Sequence, residues 1–264
     1  MILNRKITFL TFADSRFLSW KRLKKQAKQT GWFDEVVAGN ESMFDSWYFK
    51  KYKYRFKDRG YGYWQWKSYL IRRELDKLNG GDVLLYCDGG CTLNGGGYSR
   101  FVDYVKLVST HPSGILIFEQ EGQSVRMWTK GDVFAYFGNE ERYTSHDQIG
   151  GAILMICKNA KSCALVDEWY YICHNHYELL TDELSRYPNY PEFVEHRHDQ
   201  SVMDLLVVKY NGLKLPLYEI YTDDRDWSKL RPYPIWTTRQ RDKKPPFILK
   251  RVMSKIKKML MNKK

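Results

Sequence analysis

Along the chain, short apolar runs alternate with longer stretches in which apolar residues return every three or four positions. Ile7 to Phe12 is a run of the first kind and predicts a buried strand. Phe17, Trp20, Leu23 and Ala27 follow at helical spacing with lysines on the opposite face. Ser15 is placed to cap that helix and Gly31 to end it. Val36-Val37-Ala38, closed by Gly39-Asn40, predicts a second strand. The alternation continues with a helix ending near Leu78, a strand over Val83 to Tyr86, and a helix face of Phe101, Tyr104, Val105 and Val108. Ile115 to Phe118 reads as a strand, and so does the run ending at Ile156, which a Gly150-Gly151 turn enters. Helices carrying Leu165, Trp169 and Ile172, and then Val202 to Lys209, complete the pattern. Strands separated by helices predict an α/β fold, a mostly parallel central sheet flanked by helices.

In such a sheet, chemistry gathers beyond the carboxyl ends of the strands. Asp88 stands there, after Val83 to Tyr86 and before Gly89-Gly90, two residues that let a ligand approach the main chain closely. The loop after the first strand makes Asp14 and Arg16 candidates for contact with a nucleoside. Arg59-Gly60-Tyr61-Gly62-Tyr63-Trp64-Gln65-Trp66-Lys67 sets glycines before a helix and Lys67 near its start, where amide groups already favour an anion such as a diphosphate. In Gln148-Ile149-Gly150-Gly151 the glycines permit close approach of a sugar ring. Glu195-His196-Arg197-His198-Asp199-Gln200-Ser201 is a polar run leading straight into an apolar helix. Its groups are costly to bury unless they bind something or one another. Either histidine can serve there as a metal ligand or a general base.

Composition narrows the classes. The net charge is +12, but residues 241–264 hold ten Lys or Arg against one Asp, so +9 lies in the tail and about +3 in the preceding 240 residues. A body so weakly basic argues against nucleic acid. The aromatic, lysine-rich stretch 43–59 is read as an amphipathic segment over a site rather than a stacking surface for bases. Five cysteines without C-x-x-C spacing indicate neither a zinc site nor a disulfide framework, which favours a reducing cytoplasm. No apolar run is long enough to span a bilayer.

Five blocks occur in order: Gly60-Tyr61-Gly62-Tyr63-Trp64-x-Trp66-Lys67, Leu85-Tyr86-Cys87-Asp88-x-Gly90, Trp128-x-Lys130-x-Asp132, Gln148-x-Gly150-Gly151 and His196-Arg197-His198-Asp199-Gln200-Ser201. Together they resemble bacterial GT-A-type glycosyltransferases from capsule, exopolysaccharide and lipopolysaccharide biosynthesis, over roughly residues 5 to 215. The resemblance implies a Rossmann-like GT-A fold over residues 1–240 that moves a hexosyl group from a nucleoside-diphosphate sugar, UDP-linked by expectation. The acceptor is a hydroxyl of a glycan or of a lipid-linked oligosaccharide. Asp14, Arg16, Lys67, Asp88, Gly90, Gln148 and Gly150 are then the donor side, with Lys67 facing the diphosphate. Asp199 or His198 contacts the acceptor or acts as base. Such enzymes carry Asp-x-Asp at the strand end to hold Mn²⁺ or Mg²⁺ against the diphosphate. Here Gly90 stands at the second Asp position. Asp88 is left to hold a cation with His198 or Asp199, or else Lys67 carries the charge and the cation is dispensable.

Residues 241–264 form a basic amphipathic tail. Leu249, Val252, Met253, Ile256, Met259 and Leu260 keep helical spacing with lysines between them, the pattern of a helix lying in an anionic membrane surface. The expectation is a cytoplasmic enzyme, peripheral on the inner face of the cell membrane. Two other readings follow from the same residues. One is a nucleotide- or carbohydrate-binding module without turnover, and the other is an RNA-binding protein that uses residues 43–59 and the tail.

Overall fold

A computed structural model describes residues 1–243. Six strands form one sheet in the order β2-β1-β3-β6-β5-β7: β1 Ile7–Phe12, β2 Glu35–Gly39, β3 Val83–Cys87, β5 Ile115–Ser124, β6 Asp147–Cys157 and β7 Leu213–Pro216. β1 lies parallel to both β2 and β3, and β5 lies parallel to β7. β6 alone runs against its neighbours β3 and β5, so the sheet is mostly parallel, as the alternating pattern predicts. Strands β4 (Thr92–Leu93) and β8 (Ile235–Trp236) make a separate antiparallel pair.

Side chains alternate across each strand and fill two cores. Leu10, Phe12, Leu84, Tyr86, Ile115, Ile117, Leu154 and Ile156 pack against helices α2 (Gln65–Asp76), α4 (Ala160–Asn175) and α5 (Asp199–Lys209). Ile7, Phe9, Val83, Leu85, Leu116, Ile153 and Met155 pack on the other face against α1 (Ser19–Thr30) and α3 (Tyr98–Thr110). One side of the aromatic stretch belongs to the first core, while Trp47, Phe49 and Tyr54 stay exposed. Phe44, Tyr48, Tyr52 and Phe56 are buried there, with Tyr48 stacked on Tyr69 at 3.7 Å.

Two local expectations are corrected. Gln148–Gly151 is not a turn but the opening of β6, and the strand read over Ile115 to Phe118 runs on to Ser124. Because β6 is antiparallel, its first residues overhang the carboxyl end of β3, and the Asp88 amide donates to Ala152 O at 2.8 Å. A ligand at the end of β3 therefore meets the glycines of β6.

After β8 the chain crosses the same edge of the sheet. Thr238 Oγ1 and the Gln240 amide both donate to Gly90 O, and the Leu18 amide at the start of α1 donates to Asp242 O. We call residues 237–243 the strap. The remainder of the tail, with its amphipathic pattern, lies outside the described residues.

Candidate active site

Three of the predicted side chains converge on one point. Lys67 sits in the first turn of α2, buried, with Nζ 3.0 Å from Gly151 O, 3.2 Å from Asp199 Oδ2 and 3.4 Å from Asp88 Oδ1. Asp88 also accepts from the Tyr86 hydroxyl at 2.6 Å. The arrangement places residues from β3, β6, α2 and α5 around a single ammonium. Lys67 thus enters the site as a spacer between two carboxylates, with three acceptors for its three protons.

Burial and pairing pull these groups in opposite directions. Desolvation acts to lower the Lys67 pKa, but Asp199 and Asp88 together outweigh it and hold the pKa above its ordinary value. Burial raises the Asp199 carboxyl to about 6; Lys67 draws it down and Asp88 pushes it back up. Both partners shift upward, Asp199 because its burial outweighs the pull of Lys67, and Lys67 because two acids outweigh its desolvation. Burial, with Asp88 alongside, also pushes the Tyr86 phenol well above its usual range. The cluster sets one ammonium against two carboxyl groups.

The start of α2 is built from an unusual turn. Gly60, Tyr61, Gly62, Tyr63 and Trp64 all have positive φ, at 62°, 61°, 94°, 48° and 57°. Left-handed backbone costs a residue with a Cβ roughly 1–2 kcal/mol, so three aromatic residues there need firm support from their surroundings. That support is visible. The Trp66 indole donates to Gly60 O at 3.0 Å, Tyr61 stacks on Phe56 at 4.5 Å, and the Lys67 amide bonds to Trp64 O at 2.9 Å.

The polar block at the start of α5 divides its labour. His196 is engaged at both nitrogens: Nε2 donates to Leu179 O at 2.8 Å, and Nδ1 accepts from the Lys130 amide. Burial, then His198 and Lys130, hold its pKa well down, so it is a neutral structural residue. His198 has a φ of 59°, donates from Nδ1 to Leu180 O at 2.7 Å, and stacks on Trp64. Its Nε2 is buried without a hydrogen-bond partner among the described residues, 3.7 Å from Asp182 Oδ1. Gln200 donates to Ile149 O at 2.7 Å. A Cβ on Gly151 would come within 2.8 Å of Gln200 Oε1, so that glycine leaves room for the glutamine. The Ser201 hydroxyl donates to Trp128 O.

Asp14 and Arg16 lie at the same edge of the sheet but bond to each other, with Arg16 Nε 2.6 Å from Asp14 Oδ1 and Nη2 3.0 Å from Oδ2. Gln148 is buried in β6 with Nε2 unpartnered among the described residues, and Gly150 is next to Phe118 O. Gly89 packs on Ser19 and Phe12, while Gly90 lies beneath the strap at Arg239. Neither the strap nor the left-handed aromatic turn is read from the sequence. For the strap there is no local signal, because its partners lie about 150 positions away.

These donors do not fit a divalent cation. Among the described residues no three His, Cys, Asp or Glu side chains gather to hold one. Asp199 and Asp88 are both engaged by Lys67, and Gly90 offers no side chain. The two carboxylates that could form a pair face the Lys67 ammonium instead.

No family model matches the chain and no curated protein is similar to it. Three solved structures follow a similar chain path. One is a glycosyltransferase involved in glycosylation of the major capsid of PBCV-1 (10% identity, 88% of this chain and 91% of that one, TM-score 0.46). Another is mouse xyloside xylosyltransferase 1 (9% identity, 89% and 88%, TM-score 0.45). The third is the galactosyltransferase LgtC in complex with donor and acceptor sugar analogues (10% identity, 88% and 86%, TM-score 0.40).

Proposed function

We propose that the protein is a glycosyltransferase that moves a hexosyl group from a nucleoside-diphosphate sugar, most simply a UDP-sugar, to a hydroxyl of a bacterial surface glycan or its lipid-linked precursor. The observation that carries this reading is Lys67 bridging Asp88 and Asp199 at the carboxyl edge of the sheet, beneath the overhanging glycines of β6. A fixed pair of carboxylates suits the hydroxyls of a sugar ring, and glycines 150 and 151 let the ring approach the main chain. Asp14 and Arg16, at the end of β1, flank the nucleoside side. The ordered blocks that resemble GT-A glycosyltransferases support the same reading.

In this mechanism Asp88 orients the donor sugar, and Lys67 holds Asp88 and Asp199 at their spacing. Asp199 takes the proton of the attacking hydroxyl, which needs its ionised form. His198 orients the acceptor. Its Nδ1–H bond to Leu180 leaves Nε2 as an acceptor, and burial, the largest influence, keeps its pKa below the ordinary value.

The test is a donor screen by thermal shift with UDP-, GDP- and CMP-sugars, followed by nucleotide release with the donor that binds. One donor class should raise the melting temperature, and Asp88→Asn should lower release by about a hundredfold or more, the scale of losing a transition-state contact. A shift without any release would make the protein a binding module instead.

A further inference from the structure

The strap meets the Asp88–Cys91 turn at the position where an Asp-x-Asp corner would carry its second acid. Gly90 O accepts from Thr238 Oγ1 and from the Gln240 amide, each at 3.0 Å. Arg239 lies between these two bonds with a φ of 53°. A Cβ on Gly90 would stand 3.3 Å from Arg239 Cα, so a carboxylate at position 90 would press on the strap's backbone. The missing acid and the strap are one feature.

The strap is firmly seated. The Thr92 and Thr238 hydroxyls are 2.9 Å apart, and Arg22 donates to Gly89 O, Cys91 O and Gln240 O while pairing with Asp242 at 2.8 Å. Arg22 is therefore fully engaged. Arg239 is not: its side chain is exposed, makes no ion pair among the described residues, and lies 5.9 Å from the Tyr221 ring centre. Arg197, two residues before Asp199, lies close enough to Arg239 and Arg59 that both add to the effect of burial in lowering its pKa. Arg197 pairs with Glu195 at 2.8 Å and Arg59 with Asp182 at 3.5 Å, which leaves Arg239 the unpaired cation of the three among the described residues.

A departing nucleoside diphosphate carries charge that something must neutralise. We infer that Arg239 supplies this charge in place of a divalent cation, so that transfer proceeds without a bound metal; the inference rests on the nucleotide-sugar reading of the same site. In the step, the bond between the anomeric carbon and the β-phosphate oxygen breaks with its electron pair on that oxygen, and the guanidinium bonds it. The acceptor oxygen bonds the anomeric carbon, and its proton passes to Asp199.

The experiment uses the full chain and measures UDP and GDP binding by calorimetry, and nucleotide release, each in EDTA and in Mn²⁺. Binding and release should agree within twofold between the two buffers. Arg239→Gln should weaken nucleotide binding about tenfold, Arg239→Lys should recover part of it, and inorganic pyrophosphate should compete with UDP in the wild type only. Melting curves check that both variants fold, which the exposure of Arg239 favours. Binding that vanishes in EDTA, returns with Mn²⁺ and is unchanged in Arg239→Gln would overturn the inference alone. No binding of either nucleotide in either buffer would overturn the donor reading beneath it.

Discussion

Lys67 presents three N–H groups to Gly151 O, Asp88 and Asp199, and this geometry sets how the site responds to pH. Asp199 carries an electrostatic cost, since it is buried and shares its cation with a second acid. Its carboxyl moves from 3.8 to about 6, so the folded protein binds a proton that the unfolded chain has already lost. The sign follows directly: this group's contribution to stability falls as pH rises from about 4 to about 6, and stays constant above. Activity should move the other way if ionised Asp199 takes the acceptor proton. We expect kcat/KM to fall about tenfold per pH unit below pH 6 and to be level above it. Asp199→Asn should remove that limb together with most of the turnover. A profile flat to pH 4.5 in a folded enzyme would place the proton elsewhere.

At the scale of elements, the site depends on pieces whose geometry differs in how openly the sequence declares it. Val83 to Tyr86 followed by Asp88-Gly89-Gly90 is a local pattern, and the structure puts Asp88 at the strand end as read. The direction of β6 is not local: its apolar run suits either orientation, and only pairing with β3 and β5 decides it. The strap is more hidden still, since its bond from Thr238 to Gly90 spans 148 positions. The turn before α2 falls between these cases. Its alternating glycines announce a tight backbone, whereas positive φ at Tyr61, Tyr63 and Trp64 runs against their propensity and is imposed by packing. That turn fixes where Lys67 begins. Gly60→Ala would put a Cβ 2.4 Å from the Trp64 ring at a φ of 62°. It should cost about 1–3 kcal/mol in urea unfolding and lower turnover with it. Gly80→Ala, with nothing within 4 Å, is the control and should change stability by less than about 0.5 kcal/mol. Equal stability of the two variants would mean that the turn is not rigidly held.

For the whole molecule, the question is where a body of charge about +3 meets a tail of +9. No helix among the described residues is long and apolar enough to cross a membrane. Of the aromatics that could stack on bases, Phe44, Tyr48, Tyr52 and Phe56 are buried in the core, whereas Trp47, Phe49 and Tyr54 are exposed. The mark of the RNA reading would be affinity falling steeply with salt and indifferent to Asp88. The tail's spacing suits an anionic bilayer, where each Lys or Arg near the surface contributes about 1 kcal/mol. We therefore expect the full chain to sediment with phosphatidylserine vesicles at low salt and to be released at about 1 M salt, where the Debye length is about 3 Å. Deleting residues 245–264 should abolish that binding while leaving the site intact. Asp242 would keep its bonds to Leu18 and Arg22, and the strap would stay on Gly90. Turnover with a water-soluble acceptor should then be unchanged, and turnover with a lipid-linked acceptor in vesicles should fall about tenfold or more, because the deletion removes surface concentration rather than chemistry. Equal sedimentation of the truncated and full chains would locate membrane contact on the body, and equal loss with both acceptors would make the tail part of the fold.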